Sequence, residues 1–241
     1  MALLSVDETR RYARHLVLKG IGGEGQQRLK AARILIVGAG GLGSPIIAYL
    51  AAAGVGALGI ADDDTVSISN LQRQIVHTTT RESRPKTESA ADFVAALNPH
   101  VSVEPIAIRI GETNADAIAG NFDLVVDGSD SFETRQVVAA AAARADRPLV
   151  MGAVSMFDGQ VTTIVPGGPQ FADLYPEAPD PDDLPACEIV GVLGAVTGVV
   201  GTLMAMEAIK LVTGLGEPLI GRLLLYDGRA SAFTELSYGT R

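Results

Sequence analysis

The glycine-rich segment at residues 38–43 constrains the fold more than any other feature of the chain. It carries Gly38, Gly40, Gly41 and Gly43 in a G-x-G-x-x-G pattern, after an apolar, β-branched run and before a segment of helical composition. A strand, tight turn and helix in this order let a phosphate approach backbone N–H groups and the positive end of the helix dipole. The segment therefore predicts a nucleotide-binding site.

Strands and helices alternate along the first two thirds of the chain. Predicted strands lie at 33–37, 57–61, 101–110, 124–126 and 149–154, and predicted helices at 44–53, 87–97 and 133–145. This alternation predicts an α/β fold with a doubly wound, mainly parallel, Rossmann-like sheet. We expect residues 30–155 to form the nucleotide-binding core of a single domain that spans 1–241.

The last third, 156–241, has a different pattern. A strand at 159–165 precedes a segment with six prolines, 166–186, which we expect to be a long, extended and mobile loop. A helix containing 189–206 follows. Two strands, at 222–226 and 232–238, then flank an Asp-Gly turn and predict antiparallel C-terminal additions to the sheet.

The segment 189–206 is uncharged and has the minimum length of a membrane span. It contains Gly194 and Gly198 at the spacing of a small-residue packing motif. Charged Glu207 and Lys210 follow at once on the same predicted helix. We therefore favour a buried helix that packs closely against a neighbour, and we expect no membrane partner.

Composition excludes several classes of protein. Asp and Glu number 28 against 19 Lys and Arg, which leaves a formal net charge of -9, so a nucleic-acid-binding surface is not expected. Cys187 is the only cysteine, which excludes an internal disulfide framework and an all-thiolate metal site in one chain. Charged residues interrupt the first 19 positions, so we predict no signal peptide and a cytoplasmic location.

Asp62 and two cations bear on the choice of nucleotide. Asp62 lies 22 residues beyond the second glycine of the motif, where a carboxylate can accept hydrogen bonds from ribose hydroxyls. The glycines and Asp62 fit NAD and ATP equally. Arg73 and Lys86 favour ATP, because cations near the phosphates stabilise a leaving pyrophosphate. Asp63 and Asp64 are expected to lie in a solvated loop.

Two carboxylates, Asp127 and Asp130, follow the predicted strand 124–126, at the sheet edge where ligands bind. Either could bind Mg²⁺ through a hard oxygen ligand. The alternative is structural, because Asp130 or Ser131 could instead cap the helix at 133–145. The residues alone leave these alternatives open.

Several motifs occur in one order along nearly the whole chain. They are Arg11-Tyr12-x-Arg14, the glycine motif, Asp62, the sequence Ser-Asn-Leu-Gln-Arg-Gln at 69–74, Pro85-Lys86, Asn98-Pro99, Asp127-x-x-Asp130 and Met-Glu-Ala-Ile-Lys at 206–210. This set resembles the MoeB/ThiF/HesA family, bacterial relatives of ubiquitin-activating enzymes. The resemblance implies a homodimeric adenylyltransferase that uses ATP and Mg²⁺. Its substrate would be the C-terminal glycine carboxylate of a small ubiquitin-like sulfur-carrier protein ending in Gly-Gly, and it would release pyrophosphate. The reaction would serve sulfur transfer for cofactor biosynthesis, and the sequence leaves molybdopterin, thiamin, tRNA thiolation and a natural product open as its destination.

The resemblance also implies roles for single residues. Phosphate would contact Gly38, Gly40, Gly41 and Gly43, and the ribose would contact Asp62. The triphosphate would contact Ser69, Asn70, Leu71, Gln72, Arg73 and Lys86. Asp130 would bind Mg²⁺, and Ser131 stands beside it where the family pattern has Asn. Arg14 would enter the site from the partner subunit, whereas the residues alone predict only an exposed position on an N-terminal helix.

The chain departs from the family at its cysteines. Family members usually carry two Cys-x-x-Cys pairs that bind structural zinc, and residues 170–175 and the C-terminus lack them here. We therefore expect no zinc site and a looser crossover loop. Cys187 stands ahead of the apolar helix, where family members place a cysteine that forms a thioester or a carrier adduct. A passive small residue at a helix start is the alternative.

Two other classes of function remain in view. The glycines and Asp62 are compatible with an NAD-dependent oxidoreductase. The missing zinc ligands and Ser131 are compatible with a non-catalytic scaffold that binds ATP or a carrier. Gln74 and His77, close to Arg73, are expected to be structural rather than catalytic.

Overall fold

The computed structural model describes residues 3–177 and 191–239, and an eight-stranded sheet runs through this part of the chain. The strands are β1 (Arg33–Val37), β2 (Ala57–Ala61), β3 (Ser102–Ile106), β4 (Leu124–Asp127), β5 (Leu149–Ser155), β6 (Asp158–Ile164), β7 (Arg222–Asp227) and β8 (Ala232–Ser237). The helices are α1 (Val6–Arg11), α2 (Ala13–Leu16), α3 (Gly22–Ala31), α4 (Gly43–Ala53), α5 (Lys86–Leu97), α6 (Ala115–Ala119), α7 (Phe132–Arg144), α8 (Phe171–Leu174) and α9 (Gly194–Thr213).

The sheet has the order β3-β2-β1-β4-β5-β6-β7-β8. Strands β1 to β5 pair in parallel, and β5 to β8 pair antiparallel. The predicted α/β fold with a mainly parallel sheet and antiparallel C-terminal strands is confirmed. In the register of β1, Val37 pairs with Ala61 on one side and Asp127 on the other, so three strands end at one sheet edge.

Strand β1 illustrates how the apolar runs build the core. Ile34 and Ile36 face a helical layer that includes α4, α5 and α9, while Leu35 and Val37 face the layer of α6 and α7. All four side chains are buried. A parallel sheet covered on both faces requires such runs, and each fully buried aliphatic side chain contributes roughly 1.5–3 kcal/mol relative to exposure.

Two predicted boundaries are wrong. Strand β3 ends at Ile106 rather than at 110, because the N–H of Ile108 donates to the Ile106 carbonyl at 2.9 Å and turns the chain. Helix α9 begins at Gly194 rather than at 189. Gly191 has a φ of 76° and Leu193 is extended, so residues 191–193 are not helical.

The crossover segment is folded at its start. The prediction of an extended chain is wrong for helix α8, which a capping box between Gln170 and Asp173 begins. The rings of Phe171 and Tyr175 lie 5.5 Å and 5.4 Å from the ring of Phe132 at the start of α7. Residues 178–190, with the remainder of the predicted mobile loop, lie outside the described residues.

Helix α9 is long and apolar enough to cross a membrane by length and composition, with a mean hydropathy of 1.6. It packs instead along α4, α3, β5 and β6. Gly201 makes the close approach to α4, since a Cβ there would overlap Pro45, whereas Gly198 has open space around it. The packing supports the buried-helix interpretation, with Gly201 rather than Gly198 at the close contact.

Candidate active site

A cavity of about 320 Å³ lies at the carboxyl ends of β1, β2 and β4. Strand β1 has β2 on one side and β4 on the other, so the direction of chain connection reverses at this point. Ligands of open α/β sheets bind in the crevice outside the strand ends at such a reversal. The cavity is therefore where the fold itself predicts a ligand.

The glycine motif forms the floor of this cavity. Gly38 has a φ of 89°, which favours glycine, and a Cβ on Gly43 would overlap the Gly38 carbonyl. The backbone N–H groups of Gly40, Gly41 and Leu42 donate to no acceptor within the described residues. Unpaired amides at the start of a helix provide an anion site. Gly38, Gly40 and Gly41 line the cavity, while Gly43 lies behind them and makes the tight turn possible.

Asp62 joins the end of β2 to the glycine turn. Its Oδ2 accepts the Ala39 N–H at 2.7 Å, and its Oδ1 accepts the Asp64 N–H at 2.9 Å. Burial raises the pKa of Asp62, and the positive charge of Lys86 opposes that rise. The carboxylate is thus held by the turn while it lines the cavity, so its remaining lone pairs are available to ligand hydroxyls.

Lys86 is the first residue of α5 and is buried. Its Nζ lies 2.8 Å from Asp64 Oδ2 and 4.0 Å from Asp62 Oδ1. Asp63 and Asp64 are exposed, as expected of a solvated loop, but Asp64 also pairs with this lysine. The acidic neighbours compensate the charge of a cation that would otherwise be costly to bury.

Arg73 reaches the cavity from the segment after β2. One guanidinium nitrogen, Nη2, donates to Asn70 Oδ1 at 3.2 Å, and Nη1 donates to the Ser69 carbonyl at 3.4 Å. Asn70 also lines the cavity. The two contacts orient the planar guanidinium, the group best suited to a bidentate grip on phosphate.

His77 is buried, with both ring nitrogens engaged. Nε2 donates to the Ala39 carbonyl at 2.9 Å, and Nδ1 accepts from Ser89 Oγ at 2.9 Å, which requires the neutral Nε2–H tautomer. Burial lowers the pKa of His77 and so favours this neutral form. The histidine braces the glycine turn from behind, which supports its structural interpretation.

The two carboxylates after β4 have different surroundings. Asp127 is fully buried, its Oδ1 accepts the Ser129 N–H at 2.9 Å, and burial raises its pKa. Asp130 is exposed, lines the cavity and accepts no hydrogen bond from the described residues. Ser131 caps α7, since its Oγ accepts the Thr134 N–H at 3.1 Å. Asp130 is therefore the carboxylate that a ligand can reach.

The donors around the cavity fit Mg²⁺. Carboxylate oxygens of Asp62, Asp63 and Asp64 can lie within 4.8 Å of one another, and Asp130 adds another from the β4 side. Hard oxygen ligands of this kind bind Mg²⁺, often together with substrate phosphates. Asp130 would be the residue to hold the ion, and Mg²⁺ would neutralise phosphate charge there.

Several residues with predicted roles lie elsewhere. Ser69, Leu71 and Gln72 flank the cavity without lining it, although the Ser69 carbonyl orients Arg73. Arg14 is exposed on α2 and does not line the cavity of its own chain. Cys187 lies outside the described residues.

The structure also brings residues to the cavity that sequence reasoning missed. They are Ile108, Arg109, Ile110, Ser129, Thr134, Arg135, Val154, Val192 and Thr197, together with Asp63, Asp64 and Gln74, for which no ligand role was predicted. Arg109 follows β3 and Arg135 lies in the first turn of α7, at the same sheet edge as the glycine motif. Their positions after successive strands were the only available clue.

Other motif residues support the framework. Asn98 is buried, and its Nδ2 donates to the Tyr12 hydroxyl at 2.8 Å and to the Ala51 carbonyl at 2.7 Å. Glu207 Oε2 accepts from Thr163 Oγ1 at 3.0 Å and from the Leu219 N–H at 2.7 Å. The first set of contacts joins Tyr12, beside the N-terminal helices, to α4, and the second fastens α9 to β6, so the two motifs are accounted for by structure.

The fold, the glycine turn at the strand reversal and the adjoining carboxylates and cations define a nucleotide-binding α/β protein. Sequence comparison makes the assignment narrower, because residues 12–241 match the ThiF family. The chain belongs to the ThiF family.

The chain is 49% identical over 239 residues to the SAMP-activating enzyme E1 of Haloferax volcanii, a match covering 98% of this chain and 88% of that protein. It is 46% identical over 237 residues to the sulfur carrier protein adenylyltransferase of Thermus thermophilus, covering 96% and 88%. The chain is also 46% identical over 242 residues to the probable adenylyltransferase/sulfurtransferase MoeZ of Mycobacterium tuberculosis. That match covers 98% of this chain but 60% of the relative.

Solved structures share the fold. The E. coli enzyme MccB with ATP superposes with a TM-score of 0.83 at 22% identity, covering 98% of this chain and 74% of that one. PaaA superposes with a TM-score of 0.84 at 19% identity, covering 100% and 76%. At these identities the likeness concerns the architecture alone.

Proposed function

We propose that this protein is an adenylyltransferase that uses ATP to activate the C-terminal glycine carboxylate of a small ubiquitin-like sulfur-carrier protein. The observation that carries the proposal is the convergence of an unpaired amide turn, Asp62, Arg73, Lys86 and Asp130 around one cavity. Relatives at 46–49% identity, named as adenylyltransferases or as an activating enzyme, support it.

In the proposed reaction, a carboxylate oxygen of the carrier attacks the α-phosphorus of ATP. A C–O–P bond forms, the bond between the α-phosphorus and the bridging oxygen breaks, and pyrophosphate leaves with the electron pair. Negative charge grows on the leaving group, so the amides of the glycine turn, Arg73 and Lys86 stabilise the transition state more than the ground state. Bound Mg²⁺ supplies further charge neutralisation. Asp62 orients the nucleotide through the ribose.

Carrier-dependent exchange of radiolabelled pyrophosphate into ATP is the direct test. Wild-type protein with ATP, Mg²⁺ and a Gly-Gly-ended carrier should catalyse exchange, and Arg73→Ala should reduce its rate by roughly 10²- to 10³-fold, the usual cost of losing one preorganised charge-stabilising donor. Arg84→Ala is the matched control, because Arg84 is exposed and pairs with Glu88 and Asp92.

Three results would contradict the proposal. Lack of exchange with every carrier tried would do so, and preferential binding of NAD over ATP would favour an oxidoreductase. ATP binding without pyrophosphate release in the presence of carrier would favour a scaffold.

Further features belong to the same proposal. The enzyme would be a cytoplasmic homodimer in which Arg14 reaches the partner's site, consistent with its exposure and its absence from the cavity lining of its own chain. It would use Mg²⁺ and bind no zinc. The thiol of Cys187 would attack the carrier adenylate and form a thioester with release of AMP, for which trapping of a thiol-sensitive carrier–enzyme species is the test.

A further inference from the structure

The backbone of Ser129 is held from both sides by the side chains of Asp127 and Arg135. Its N–H donates to Asp127 Oδ1 at 2.9 Å, and its carbonyl accepts from Arg135 Nη2 at 2.9 Å. A buried carboxylate, one peptide unit and a half-buried guanidinium therefore form a continuous chain. A hydrogen bond from an ionised guanidinium is roughly twice as strong as a neutral one, so the contact with Arg135 orients this peptide firmly.

Asp127 and Arg135 are linked through this peptide, because each forms a hydrogen bond with the backbone of Ser129. Asp127 Oδ2 and Arg135 Nε are buried and have no hydrogen-bond partner within the described residues, so the two side chains do not satisfy each other directly. Arg135 is nevertheless the charge that most favours the ionised form of Asp127 and opposes the effect of burial on its pKa. The two side chains therefore hold the Ser129 backbone in place and do not form a direct salt bridge with each other.

Asp130 lies between two fixed points. Ser129 is held on one side, and on the other Ser131 caps α7 through the Thr134 N–H. Phe132, the next residue, packs against Phe171 and Tyr175. The exposed carboxylate of Asp130 is thereby presented to the cavity on a short loop with little freedom. Preorganisation of a ligand residue by its neighbours is what raises metal affinity and catalytic rate.

We propose that Arg135 is a positioning residue: through its hydrogen bond to the Ser129 carbonyl it sets the orientation of the Asp130 carboxylate toward Mg²⁺ bound with ATP. This inference rests on the proposed function only in taking ATP and Mg²⁺ as ligands. It assigns a role to a residue that no motif singled out. Removing the guanidinium breaks its hydrogen bond to the Ser129 carbonyl and frees that carbonyl to rotate.

The test measures ATP affinity by calorimetry across a Mg²⁺ titration, without carrier. In wild type, ATP affinity should rise with Mg²⁺ until it reaches a plateau, and the Mg²⁺ concentration at half of this rise is the quantity compared. We expect Arg135→Ala to increase that concentration by about 10- to 100-fold, the usual cost of removing an outer partner of a metal ligand. ATP affinity without Mg²⁺ should stay within about twofold of wild type. Arg135→Lys keeps a charge and a donor and should recover part of the loss. Arg144→Ala, an exposed arginine of the same helix that pairs with Asp116, is the matched control.

A double-mutant cycle shows whether the effect passes through Asp130. If it does, adding Arg135→Ala to Asp130→Asn should change the Mg²⁺ response no further. An equal loss of ATP affinity with and without Mg²⁺ in Arg135→Ala would overturn the inference in favour of direct phosphate contact, and an additive double mutant or an unchanged response would overturn it as well.

Circular dichroism spectra and melting temperatures of the variants identify any that fail to fold. If Arg135→Ala is one of them, Arg135→Lys carries the test. A wild-type protein that binds Mg²⁺ and ATP but exchanges no pyrophosphate would refute the proposed function and leave this inference standing.

Discussion

At the scale of single residues, burial separates the roles of charged side chains that are neighbours in sequence. Asp127 and Asp130 are three residues apart, yet the first is fully buried and the second exposed at the cavity. Asp127 is the last residue of β4, whereas Asp130 lies on the loop beyond the sheet edge. A buried carboxylate is costly to ionise and serves as an internal anchor, so the exposed one is suited to a ligand.

Glu8 provides a residue-scale prediction about stability and pH. Burial alone would raise the pKa of Glu8, but hydrogen bonds from Lys30 and from the capping box with Ser5 outweigh burial and lower it to about 2 from its usual 4.5. A lowered pKa in the folded state means that the contribution to stability is complete above about pH 4.5 and is lost as pH falls toward 2. Glu8→Gln should therefore reduce the free energy of unfolding at pH 7 by roughly 1–3 kcal/mol.

Urea denaturation at a series of pH values measures this effect. The difference between wild type and Glu8→Gln should shrink as the pH falls below about 4.5. Asp7→Asn, an exposed position on the same helix, is the control and should change stability little. A difference that does not vary with pH would contradict the ionic explanation.

At the scale of elements, helix α9 joins the site to the core through its small residues. Gly194 approaches the Gln72 carbonyl, Gly201 approaches Pro45 and the Leu42 carbonyl, and a Cβ at Gly41 would lie 3.1 Å from Thr197 Cγ2. The N-terminal part of α9 therefore lies directly against the glycine turn and the Arg73 segment. Glycine at positions 194 and 201 allows the backbone of α9 to come this close to the Gln72 and Leu42 carbonyls.

Two glycines on α9 provide a matched pair of variants. Gly201→Ala should destabilise the protein by about 1–3 kcal/mol, because its Cβ would overlap Pro45 and lie 2.6 Å from the Leu42 carbonyl oxygen. Gly198→Ala, one turn earlier and in open space, should stabilise it by about 0.5–1 kcal/mol through helix propensity. Thermal and urea unfolding give both values, and equal effects of the two substitutions would show that the contact does not govern packing.

At the scale of the whole molecule, the acidic composition requires that positive charge be concentrated at the cavity. The formal net charge is -9, yet Arg73, Lys86 and Arg109 all line this one space. A phosphate ligand meets a local cationic site on an anionic protein. Arg14 is outside this set in its own chain, so the proposed dimer would complete the site.

Heterodimers of two variants test whether Arg14 of one subunit completes the site of the other. Arg14→Ala and Arg73→Ala homodimers should each lose carrier-dependent exchange. Co-expressed with different affinity tags and purified as a heterodimer, they should recover about half of wild-type activity, because a two-fold dimer would then hold one intact and one doubly altered site. The pair Arg73→Ala and Lys86→Ala is the control, since neither site of that heterodimer is intact. Failure of the first heterodimer to recover activity would contradict the role of Arg14 across the interface.

Local patterns in the sequence determined most of the elements. The bounds of β1 and β2 were predicted correctly, because apolar β-branched runs and glycines act over a few residues. The order of strands and helices then determined the parallel sheet and the edge at which a ligand binds, since such connections have few possible topologies. The glycine turn, Asp62, Arg73 and Lys86 follow from motifs at that edge.

Tertiary structure alone decided how these residues are used. Sequence left Asp127 and Asp130 as rival ligands, and only packing buried one and exposed the other. Arg135, Arg109 and the contacts of Gly201 depend on residues far apart in the chain, so no local pattern predicts them. The turn after Ile106 and the start of α9 at Gly194 also shifted predicted boundaries, through local backbone geometry that the apolar pattern does not record. Propensity acts between neighbours in sequence, whereas burial and charge compensation act between neighbours in space.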